Sequence, residues 1–142
     1  MRIEATAVVP AAPEAVFRFL SDLENHWRLA DRWIEVVELE RSNGAHGGRV
    51  RMRGPLGIGR TARTTVVDAQ PEHVMHGTAE LGRTRALIGW ELHEDVGGTA
   101  VRLSANVERT GLLDGLLLAL GGRAWMQRRF EAILATLAQH FS

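Results

Sequence analysis

Thr84-Arg85-Ala86-Leu87-Ile88-Gly89-Trp90-Glu91-Leu92-His93 and Thr99-Ala100-Val101-Arg102-Leu103-Ser104-Ala105-Asn106-Val107-Glu108-Arg109 lead into Trp125-Met126-Gln127-Arg128-Arg129-Phe130-Glu131-Ala132-Ile133-Leu134-Ala135-Thr136-Leu137. In the first run Thr84, Ala86, Ile88, Trp90 and Leu92 share a face; in the second Val101, Leu103, Ala105 and Val107 do. A period of two marks a strand with one buried face. Glu94-Asp95-Val96-Gly97-Gly98 between them suits a reversal of the chain. In the last run Met126, Phe130, Ile133, Leu134, Leu137 and Phe141 recur at helical spacing. A helix this long needs a large apolar surface to lie on, and a curved antiparallel sheet supplies one. A sheet gripping one long helix often leaves a hollow between the two, and function is to be sought there.

Upstream, Ile3, Ala5, Ala7 and Val9 alternate as a half-buried strand that Pro10 and Pro13 stop. Pro13 suits the first turn of a helix, where its missing N–H costs nothing, and Val16, Phe17, Leu20 and Leu23 follow at helical spacing. Asp22 can cap a second short helix carrying His26, Trp27 and Leu29. Strands are then expected over Trp33 to Arg41, Gly48 to Gly54, Arg60 to Ala69 and His73 to Leu81, with glycine-rich turns at Asn43 to Gly48 and Gly54 to Gly59. The expected fold is α+β: a seven-stranded curved antiparallel sheet around a long C-terminal helix, with two short helices after strand one. One domain over residues 1–142 is expected, since a chain of 142 residues buries roughly 70% of its unfolded surface without staples.

Composition narrows the function classes. There are no cysteines, which excludes disulfides, thiolate metal sites and a cysteine nucleophile and fits a reducing compartment. Lys+Arg and Asp+Glu both number 17, so no global field steers the chain to nucleic acid or anionic lipid. The N-terminus lacks the apolar core of a signal peptide, and the most apolar stretch, Gly111 to Gly122, is too short to span a bilayer. A cytoplasmic protein without a transmembrane segment is expected.

The element order, with Val8-Val9-Pro10-Ala11-Ala12-Pro13-Glu14-Ala15-Val16-Phe17 at its front, resembles the START/Bet v 1-like (SRPBCC) superfamily. The closer likeness is to bacterial polyketide cyclase/dehydrase-like and lipid-transport-like members. Leu23-Glu24-Asn25-His26-Trp27, Val67-Asp68-Ala69-Gln70-Pro71 and Gly97-Gly98-Thr99-Ala100-Val101 also carry the resemblance, which covers nearly the whole chain. It implies a helix-grip fold. It leaves function open, because the family includes cyclases, hydrolases, lipid carriers and plain binders.

No motif outweighs that reading. Asn43 to Gly48 lacks the Gly-Lys-Ser/Thr ending of a phosphate loop and precedes a strand, so it reads as a hairpin turn. No two histidines share the four-residue spacing of a zinc helix, so neither a metal nor another cofactor is expected. Arg49, Arg51, Arg53, Arg60, Arg63, Arg83 and Arg85 read mostly as an outer basic face balanced by strand glutamates. Nucleic-acid binding is not expected from zero net charge, no tyrosine and no exposed aromatic array. Asp114 reads as the cap of the last helix, or else as a polar point at a cavity entrance.

The expected partner is therefore a small hydrophobic ligand: a lipid, an isoprenoid or an aromatic polyketide-like molecule. Val50 and Met52, Ile88 and Trp90, Leu103 and Ala105, and Met126 and Phe130 are expected to line its site, with Trp33 and Thr64 among the groups orienting it. Trp90→Ala is expected to weaken the ligand and to change the fold little. The leucines from Leu112 to Leu120 exceed what one helix face needs; Leu116 and Leu117 in particular suggest a lid, a lipid-facing edge or a homodimer patch. The enzyme alternative is a polyketide cyclase/dehydratase with His76 as acid–base and Asn106 as its orienting or oxyanion-stabilising partner. Asn106 is out of phase with its apolar neighbours, and His76 has apolar residues in both phases around it. The second alternative is an accessory protein-interaction subunit that uses the leucine-rich edge.

Overall fold

The structure, a computed structural model, describes residues 1–21, 34–42, 45–53, 59–70 and 73–142. It shows an antiparallel sheet packed against a long C-terminal helix. In chain order come β1 (Arg2–Val9), α1 (Pro13–Ser21), β2 (Ile34–Ser42), β3 (Ala45–Arg53), β4 (Gly59–Gln70), β5 (Val74–Leu81), β6 (Thr84–Asp95) and β7 (Gly98–Arg109). Then follow α2 (Leu112–Leu117), an irregular turn over Leu118–Gly122 and α3 (Arg123–His140). The sheet order is β1-β7-β6-β5-β4-β3-β2, and every neighbouring pair is antiparallel. The second short helix expected after Asp22 lies outside the described residues.

Two boundaries differ from the sequence expectation. The ladder between β2 and β3 extends to Ser42 opposite Ala45, so Ala45 to Gly48 is strand rather than turn. The ladder between β6 and β7 likewise runs on to Asp95 opposite Gly98. In both places glycine and polar residues suggested loop, but the backbone bonds of a paired neighbour outweigh that weak local preference.

Alternation builds the core. Ile3, Ala5 and Val9 of β1, Trp90 and Leu92 of β6, and Val101, Leu103 and Ala105 of β7 are buried on the inner face. α3 adds Phe130, Ile133, Leu134 and Leu137, whose spacing places them on one stripe. α1 adds Val16 and Leu20, and its start at Pro13 uses the fixed φ of proline. The far end of α3 meets α1 through Phe19, whose ring centroid lies 4.2 Å from that of His140 and 5.7 Å from that of Phe141. Among the described residues, no helix is long and apolar enough to cross a membrane.

The leucine-rich run is not continuous with the last helix. Gly121 has φ +107°, outside helical space, and breaks the chain between α2 and α3. Asp114 caps neither helix. Gly111 is the N-cap of α2 and Gly122 that of α3, each without a side-chain cap. The Asp114 carboxylate instead accepts a hydrogen bond from the Thr84 hydroxyl. The Thr84 oxygen in turn accepts from the Gly111 N–H at 3.1 Å. Thr84 thus ties the start of β6 to the start of α2.

Candidate functional site at the inner face

The ladders place the inner face in rows. Trp90 lies opposite Leu103 on one side and Met75 on the other, and Leu103 lies opposite Ala5. One row along, Ile88 stands between Ala105 and Gly77. In the next, Ala86 stands between Val107 and Ala79, and Ala79 faces Thr64 of β4. Side chains two apart on a strand share a face, so the buried Met75 and Trp90 fix Gly77, Ala79, Ala86 and Ile88 as inward.

Burial grades along these rows. Trp90, Leu103 and Ala105 are each 3% exposed and Phe130 is 4%, all within one apolar cluster. Ile88 and Met126 pack against that cluster but stay half-buried. Gly77, Ala79, Ala86 and Thr64 are half-buried as well. The cause is the lie of α3, which runs along β1 and touches β7, at the sheet edge away from β5 and β4. Two polar contacts hold its first turns there: Gln127 Nε2 donates to the Glu4 carbonyl at 2.7 Å, and an Arg123 guanidinium nitrogen to the Arg2 carbonyl at 3.4 Å. Trp125, half-buried one residue before Met126, carries the Arg129 guanidinium 5.1 Å from its ring centroid.

At the end of the face toward α2, the Thr84–Asp114 pair supplies a carboxylate next to apolar wall. Thr84 shares the inward phase of Ala86 and Ile88. Asp114 thus stands beside Thr84 at the start of α2 rather than as the cap of the last helix.

Six of the expected ligand-contact residues come together: Ile88, Trp90, Leu103, Ala105, Met126 and Phe130. Thr64 stands beside them across Ala79. Val50 and Met52 belong to β3, described by its backbone, which pairs them with Ala62 and Arg60. Trp33 lies outside the described residues. Leu117 is half-buried and Leu116 is 56% exposed, both in α2 and away from the Trp90 rows. Met75 is not singled out by the sequence; its position opposite Trp90 is the signal that finds it.

His76 and Asn106 are not brought together. His76 lies opposite Gly89, with its Cδ2 3.2 Å from where a Cβ on Gly89 would stand, and it is exposed on the outer face. Asn106 lies opposite Leu87, also exposed, two strands away on β7. An acid–base pair acting on the inner face cannot be made from them. Alternation decides this: Met75 and Ala105 point in, so their neighbours point out. Trp90 also corrects an expectation, since its burial makes Trp90→Ala a core deletion rather than a mild change of lining.

The outer face is an ion-paired surface. Arg85 reaches Glu80 at 3.4 Å and Glu108 at 3.5 Å, and Arg102 reaches Glu91 at 3.3 Å. Such exposed pairs contribute about 0–1 kcal/mol each.

The family described as polyketide cyclase / dehydrase and lipid transport matches residues 1–142, and the chain belongs to it. No curated protein matches the chain. Among solved structures it is similar to TTHA0849 from Thermus thermophilus, at TM-score 0.79 and 23% identity over 99% of this chain and 97% of that one. It is also similar to the di-domain ARO/CYC BexL of the BE-7585A biosynthetic pathway, at TM-score 0.74 and 17% identity over 100% of this chain and 50% of that one. Protein Ms6760 from Mycobacterium smegmatis aligns at TM-score 0.73 and 11% identity over 99% of this chain and 90% of that one. At these identities the likeness is one of fold.

Proposed function

We propose that this chain is one helix-grip domain that binds a small hydrophobic molecule, lipid-, isoprenoid- or aromatic polyketide-like, between the sheet and α3. The observation that carries the reading is the half-buried apolar strip of Gly77, Ala79, Ala86, Ile88 and Met126. It is continuous with a sealed core, and three of its five members are too small to fill space themselves. Apolar burial supplies the binding free energy, about 25 cal/mol per Å². Thr64 and the Thr84–Asp114 pair are the groups suited to orient a polar end.

Native mass spectrometry of the purified protein is expected to show a co-purified apolar molecule. Ala79→Phe is the companion test. In an open strip the ring occupies the ligand's place, so the variant loses the bound mass and keeps its stability. In a solid interior the same ring overpacks and costs about 1–3 kcal/mol. That cost, together with a bare mass for the wild type, would remove the reading.

A cyclase is the second reading, favoured by one feature: Asp114 is an ionisable group at the end of the strip. Positioning a flexible chain supplies most of such a reaction, with one weak acid or base beside it. Asp114→Asn is then expected to lower turnover of a polyketide-like substrate by about 10²-fold or more. Equal turnover by wild type and variant would exclude Asp114 from the chemistry.

A further inference from the structure

We propose that the segment Leu112–Gly122 docks this protein onto an anionic lipid bilayer. Leu112 is 96% exposed, Leu116 56% and Leu120 74%. Leu112 and Leu116 are spaced by four, so they share one side of α2, and Leu120 follows in the exposed turn after it. The chain keeps them out of the core by construction. At Gly122 a Cβ would stand 2.6 Å from the Leu117 carbonyl oxygen, so only glycine permits the tight turn that separates α2 from the buried stripe of α3.

The charges around the stripe decide what covers it. Arg109 precedes α2, and Arg123 follows the turn. Arg83 reaches the same end of α2, its Cβ 3.6 Å from where a Cβ on Gly111 would stand. All three are exposed, and none makes an ion pair among the described residues. Of the carboxylates nearby, Glu108 is ion-paired with Arg85, and Asp114 is hydrogen-bonded to the neutral Thr84 hydroxyl, so three arginines stand against two carboxylates, one of them already ion-paired. An apolar stripe with guanidinium groups at both ends fits an interface of acyl chains beneath anionic headgroups. A second copy of this chain fits worse. In a two-fold pair the same patch meets itself, which would set these arginines against their equivalents.

The inference stands apart from the apolar-ligand reading, because a vesicle assay scores the protein with or without a bound molecule. Wild type is expected to sediment with phosphatidylcholine vesicles that contain phosphatidylglycerol, and much less with phosphatidylcholine alone. The triple variant Leu112→Gln, Leu116→Gln, Leu120→Gln is expected to bind at least about tenfold more weakly at an unchanged melting temperature. Arg83→Gln with Arg109→Gln is expected to weaken binding about tenfold or more and to reduce its salt dependence. Three results would each overturn the proposal. One is wild-type protein that stays in the supernatant with both vesicle types. Another is a triple variant that binds like wild type. The third is a wild-type dimer in solution that the triple variant abolishes, with no vesicle binding, which would assign the stripe to a second copy.

Discussion

Trp90→Ala is expected to lower the free energy of unfolding by about 3–5 kcal/mol, the range for truncating a large aromatic in a sealed core. Trp90 is 3% exposed and sits between Met75 and Leu103, beneath the stripe that α3 lays down with Phe130 and Leu134. Removing the indole takes apolar surface out of the core and leaves a void that close-packed neighbours fill only in part. Urea unfolding followed by circular dichroism measures the loss, since the fluorescence reporter itself changes. Trp90→Phe keeps most of the volume and is expected to cost less than half as much. A Trp90→Ala variant destabilised by under about 1 kcal/mol would mean that the indole wall is not part of the packed core. The comparison also separates two roles. If Trp90→Phe keeps its stability but loses the co-purified molecule, the ring contacts ligand as well as core.

Elements with one clear period were legible in the sequence. β6, β7 and α3 could be read because Ile88, Trp90, Leu92, Val101, Leu103 and Ala105 alternate without interruption and Phe130, Ile133, Leu134 and Leu137 recur at helical spacing. β5 could not, because Val-Met-His-Gly-Thr-Ala offers apolar residues in both phases. Its inward face is set by a neighbour: pairing with Trp90 turns Met75 in and His76 out. A lone histidine in an ambiguous strand therefore looked like a candidate catalyst, and its exposure follows from one ladder position. The leucine-rich run misled differently. Its composition suggested an extension of the last helix, but Gly121 and Gly122 end one helix and start another, and three leucines are left facing solvent. The break was written in the sequence as two adjacent glycines; the direction in which the leucines then point was not.

Gly98→Ala is expected to cost about 3 kcal/mol or more, for a reason that a turn preference alone does not give. Gly97-Gly98 reads locally as the reversal between β6 and β7, where any flexible pair would serve. In the fold Gly98 has φ +135°, and a Cβ there would stand 2.1 Å from the Val9 carbonyl oxygen and 2.9 Å from the Ala11 nitrogen. Both are backbone atoms at the end of β1, so no side-chain rotation relieves the clash. A strained backbone position costs on the order of 1–3 kcal/mol by itself, and displacing β1 adds lost packing. The next residue shows what the approach achieves. Thr99, fully buried, donates its hydroxyl to the Ala11 carbonyl at 2.6 Å, fixing the entry to α1. Gly97 is the control, because an added Cβ would make only a 3.4 Å contact with Val8 Cγ1. Gly97→Ala is accordingly expected to stay within about 0.5 kcal/mol of wild type. Thermal unfolding of the two variants side by side measures the difference, and equal midpoints would show that β1 does not need the close approach. Pro10 to Pro13 and Gly97 to Val101, two pieces that carried the family resemblance in the sequence, are thus the two sides of one contact: only glycine at 98 lets the β6–β7 turn reach the end of β1, and the threonine at 99 bonds it there.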